Sequence, residues 1–142
     1  MSSQNEFHEG VLAAFRFLTS ELGFRSIVPN SESALQPVLF EKLPFIVEVY
    51  WDKGEVDVLI RVKIDTSILR PYRRKGFYVE EIARHLKPDI FRVSRARQGR
   101  EASLERALAD VRFYAELTKE CCRDILRGDT KVLEEILQKD AQ

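Results

Sequence analysis

The sequence predicts an α+β domain, an antiparallel sheet with one face covered by helices. Three observations lead there. Apolar residues recur every three to four positions near the N-terminus and again through the last third of the chain, while a strict two-residue alternation runs between them. With 142 residues, 44% of them hydrophobic, one domain with one core is expected.

From Asn5 to Leu22, the residues Phe7, Val11, Leu12, Phe15, Leu18 and Leu22 share one helical face. Ser3 with Glu6 offers a capping box, and Gly23 followed by Phe24 offers a left-handed stop. Phe24 to Val28 fits a short strand, closed by Pro29 and the polar run Asn30 to Ser33. Val38 to Lys42, Phe45 to Trp51 and Glu55 to Ile64 are rich in β-branched and aromatic residues and read as a meander of three to four strands when the preceding segment is included. In its last strand Val56, Val58, Ile60, Val62 and Ile64 alternate with Glu55, Asp57, Leu59, Arg61 and Lys63, one row for the core and one for water. Val47, Val49 and Trp51 face the same core, and Glu48 and Tyr50 point outward.

Asp65 to Gly76 has no period and reads as a loop. A short helix follows with Val79, Ile82, Ala83 and Leu86 inward, stopped by Pro88. Phe91 to Glu101 is weakly patterned and basic. Ser103 is an N-cap for the longest helix, whose inner face carries Leu104, Ala107, Leu108, Val111, Ala115, Thr118, Cys122, Ile125 and Leu126. Gly128 ends it and Asp129 caps a terminal helix with Val132, Leu133, Ile136 and Leu137 inward.

The net charge is zero but segregated. Residues 1–60 hold four Lys/Arg against nine Asp/Glu, residues 61–100 twelve against four, and residues 101–142 seven against ten. Neutrality argues against a general binder of nucleic acid or membranes, and no apolar run approaches the roughly 18 residues of a membrane span. The first nine residues lack the basic and apolar regions of a signal peptide. Adjacent Cys121 and Cys122 cannot bridge without strain and are expected as reduced thiols, Cys122 in the core and Cys121 turned away. A soluble cytoplasmic protein is the expectation.

Catalytic signatures are absent. His8 and His85 stand alone and the cysteines have no zinc spacing, so no metal is expected. Six isolated glycines form no phosphate loop, and no cofactor is implied. Glu48, Asp57 and Lys63 share a hairpin, but Arg61 stands where an acid-plus-lysine metal site needs a carboxylate. The best candidate site is the basic loop, where Arg70, Tyr72, Arg73, Arg74 and Lys75 lead into Phe77 and Tyr78, joined by Arg92, Arg95, Arg97 and Arg100 if the loops meet. Cations interleaved with aromatics can bind phosphate and stack on unpaired bases, or pair with carboxylates of a partner protein. A merely solvated loop is the plainer alternative. The reading favours a protein partner over nucleic acid, and a binding module over an enzyme whose site assembles only in the fold.

The order of helix, meander, short helix, long helix and then Leu126, Arg127, Gly128, Asp129 before a terminal helix resembles a loose group of small uncharacterised bacterial proteins. Immunity proteins, which neutralise a cognate toxin in the cell that makes it, are similar in size and layout. The resemblance covers most of the chain in outline, and the Arg-rich stretch between Asp65 and Gly76 departs from it. It implies a non-enzymatic module with a protein partner.

Overall fold

The computed structural model of the chain describes residues 3–28, 37–52, 54–62, 76–88 and 103–140. Its elements are α1 (Ser3–Ala14), α2 (Arg16–Ser20), β1 (Arg25–Ile27), β2 (Val38–Lys42), β3 (Phe45–Asp52), β4 (Glu55–Val62), β5 (Gly76–Tyr78), α3 (Val79–Leu86), α4 (Leu104–Leu126) and α5 (Lys131–Asp140). The five strands form one antiparallel sheet in sequential order, β1 to β5. The α+β architecture is that expected, with one strand more.

The alternation in β4 does what its period demands: Val56, Val58, Ile60 and Val62 are buried and Glu55 and Arg61 exposed. Opposite them Phe45, Val47 and Val49 are buried, and half-buried Trp51 packs on Phe7 of α1 at 5.3 Å between ring centroids. Helix α4 is the central post, packed against α1, α3, β4 and α5. Its N-cap is Ser103, whose hydroxyl accepts from the Arg106 N–H at 3.1 Å. At its other end Gly128, at φ +115°, reverses the chain so that the Asp129 N–H reaches the Asp124 carbonyl at 3.0 Å. The Asp129 carboxylate then accepts from the Lys131 N–H at 3.1 Å and starts α5.

Four local expectations change. The predicted single helix from Asn5 to Leu22 breaks at Phe15 (φ −97°, ψ 20°). Residues two apart on a straight helix differ by about 200° in direction, so Phe15 and Phe17 could not share a core. The break buries both, their rings 6.1 Å apart. Gly76–Tyr78, read as the end of a loop and the start of a helix, pairs with β4 as the fifth strand. Leu86 is exposed rather than inward, at the last turn of α3. Cys121 is buried along with Cys122 because α4 is covered on several sides, not on one stripe. The Asn30 to Ser33 loop and the side chain of Ser3 lie outside the described residues.

Candidate functional site

Strand register decides what the outer face of the sheet presents. Since Val47, Val58, Ile60 and Phe77 point inward, their neighbours form two rows that cross all five strands. One runs Ile27, Leu39, Glu48, Leu59, Tyr78; the other runs Arg25, Glu41, Ile46, Arg61, Gly76. At about 4.8 Å per strand each row is ~19 Å long. The described helices send their buried side chains to the other face. The outer face therefore mixes aliphatic side chains, two tyrosines and charges.

The two arginines of this face are paired. Arg25 meets Glu41 at 2.8 Å and Arg61 meets Glu48 at 3.0 Å, each with its partner on the adjacent strand. Asp52, Glu55 and Asp57 on the β3–β4 hairpin and Glu80 on the first turn of α3 have no cation paired with them among the described residues. Tyr50 stands opposite Asp57, and its phenol donates to that of Tyr78 at 3.4 Å. Burial, and then the charges of Glu80 and Glu55, push the Asp57 carboxyl up to about 6. Burial, the Tyr78 hydrogen bond and the Asp57 charge hold the Tyr50 phenol well above its ordinary value. Oε1 of Glu80 is out of water and has no hydrogen-bond partner among the described residues. Part of this has a purely structural cause, because Glu80 and Glu81 in the first turn of α3, with Arg84 and His85 in the last, complement the helix dipole. That accounts for the position of Glu80 but not for crowding of carboxylates around Asp57. Among the described residues no three His, Cys, Asp or Glu side chains converge closely enough for a metal ion.

A second cluster lies between α3 and α5. His85 Nε2 is 3.0 Å from Glu135 Oε1, and Nδ1 of the same ring is buried without a hydrogen-bond partner among the described residues. A cavity of about 180 Å³ beside it is lined by Glu81, Arg84, His85, Ile136, Lys139 and Asp140. Burial and the neighbouring Glu120 charge raise the Cys121 thiol despite Lys87, which pairs with Glu120, and burial raises Cys122 further still, so both stay protonated.

Most of the predicted basic site, Arg70, Tyr72, Arg73, Arg74, Lys75, Arg92, Arg95, Arg97 and Arg100, lies outside the described residues, as does Lys63. Of the aromatics assigned to it, Phe77 is fully buried opposite Ile60 and belongs to the core, while Tyr78 is exposed on the outer face. Sequence reasoning assigned the outer row of the hairpin to solvent and missed its convergence with Tyr78 and Glu80. The signal available was the Phe77/Tyr78 alternation, too short to read as a strand beside a helix start. No protein-family model, curated protein or solved structure matches the chain.

Proposed function

We propose that this chain is a non-enzymatic protein-interaction module, in its most specific form an immunity-like protein that binds a toxin, with the outer face of the sheet as its binding surface. The observation that supports this most is the composition of the row Ile27, Leu39, Glu48, Leu59, Tyr78 and its neighbour Tyr50. Aliphatic side chains and tyrosines set among charges are the mixture of a protein interface: tyrosine buries a large area with two rotors to immobilise, and flanking charges fix register. Site-specific photo-crosslinking tests it. A crosslinker replacing Tyr50 should capture a discrete protein in the cells that make this chain, and one replacing exposed Glu116 on α4 should not. Equal capture from both positions, or capture of nucleic acid alone, overturns the reading in favour of the basic segment 61–100 as a nucleic-acid surface.

The His85–Glu135 pair favours a second reading, an acid–base site in the α3–α5 cavity. Its carboxylates and cations alternate along two helix faces, an arrangement that inter-helix ion pairing also produces. Turnover of any substrate lost in both His85→Ala and Glu135→Gln, with folding intact, would establish it.

A further inference from the structure

We infer that the corner of the outer sheet face formed by β3, β4 and β5 docks a cationic segment of a partner protein, an arginine- or lysine-bearing stretch that lies along the Tyr50–Tyr78 pair and meets the carboxylates of Asp57, Glu55 and Glu80. The inference rests on the sheet-face reading above and gives its partner a charge.

Charge complementarity carries it. Among the described residues the cations of this face are already paired, Arg25 with Glu41 along the row that ends at Gly76 and Arg61 with Glu48 of the neighbouring row. What remains toward the hairpin end and the start of α3 is acid without described counter-charge: Asp52, Glu55, Asp57 and Glu80. Burial, and then repulsion from Glu80 and Glu55, raises the Asp57 carboxyl, and Oε1 of Glu80 is withdrawn from water with no donor to meet it among the described residues. A cation arriving there relieves repulsion already present in the free protein, so its binding is favoured beyond the Coulomb attraction of solvated charges. The carboxylates do not converge tightly enough to chelate a metal ion among the described residues. A guanidinium or ammonium on a flexible stem suits such a spread, because it spans several acceptors and lays its apolar stem on Leu59 and the tyrosine rings. Tyr78, 43% exposed, also offers its ring to a cation.

The test uses the full chain and an octa-arginine peptide, with backbone amide shifts read by NMR and affinity by calorimetry. Expected are saturable one-to-one binding and shifts concentrated at residues 50, 57, 59 and 78–80. At pH 7.5 the Asp57→Asn/Glu80→Gln variant should bind at least fivefold more weakly while melting no lower than the parent. Wild-type affinity should fall severalfold between pH 7.5 and 5 as Asp57 takes up its proton, and that fall should shrink in the variant. Shifts spread over α4 and α5, unchanged affinity in the variant, or equally tight binding of spermine would overturn the inference. A partner crosslinked from position 50 whose binding survives the double substitution would leave the sheet-face reading standing and remove only the cationic partner. Loss of position-50 crosslinking together with retained octa-arginine binding at the corner would do the reverse.

Discussion

Tyr50 and Asp57 stand directly opposite each other in the β3–β4 register, and the phenol reaches on to Tyr78 of β5 while the carboxyl answers to Glu80 of α3. Two residues of one hairpin are thus tied electrically to the segment that rejoins the sheet after residue 75. That coupling makes Asp57 the most informative single position on the outer face.

Asp57 should destabilise the protein at neutral pH. Its folded value of about 6 lies above the ordinary 3.8, so between these values the folded state holds the proton more often and stability falls as pH rises. Above about 6 the penalty is complete; below 3.8 it vanishes. Asp57→Asn should therefore raise stability at pH 8 by about 1–2 kcal/mol, allowing for solvent screening of a partly exposed group, and change it little at pH 3.5. Urea denaturation at the two pH values measures this, and equal effects at both would refute it.

His8 should produce the opposite slope. It is buried, and burial lowers its value below 6.5, so the unfolded chain takes up the proton first and stability is lost as pH falls through and below 6.5. In His8→Gln the acid-side loss should be smaller between pH 6.5 and 5. Melting temperatures of both proteins across that window decide it.

The faces of β4 should respond unequally to charge. Val58→Asp and Ile60→Asp bury an unpaired carboxylate and should abolish folding, a loss of about 4 kcal/mol or more. Leu59→Asp, on the half-buried outer face, should leave a cooperative transition. Circular dichroism melts that failed to separate Leu59→Asp from its neighbours would mean the outer face is covered.

Gly10 sets the approach of α1 to α4. A Cβ there would meet Leu108 Cδ2 at 2.3 Å, within a side chain that can turn away only at some cost to its packing. Gly10→Ala alone should destabilise by about 1 kcal/mol, overpacking exceeding the helix propensity gained. In a Leu108→Ala background the same change should stabilise by about 0.5–1 kcal/mol, because only the propensity term remains. A double-mutant cycle by chemical denaturation gives the sign directly.

What was legible in the sequence has a local cause. The two-residue alternation of Val56 to Val62, the helical spacing of Ala107 to Leu126, the cap at Ser103 and the reversals at Gly23 (φ +78°) and Gly128 all depend on residues within a turn or two of one another. The tertiary structure decided everything that depends on distant partners. Phe77 became a strand residue only by meeting Ile60, seventeen positions earlier, and three residues carry too little period to announce it. Phe17 turned inward because Phe15 broke the helix to pack on Phe40, and Cys121 was buried because α4 has neighbours on several sides. Asp57 acquired its perturbed carboxyl from burial and then from Glu80 and Glu55, and His85 met Glu135 across fifty residues. A lone sequence states which side chains are available, but charge repulsion and burial act through space, so which of them share a site is settled only when the sheet and helices pack.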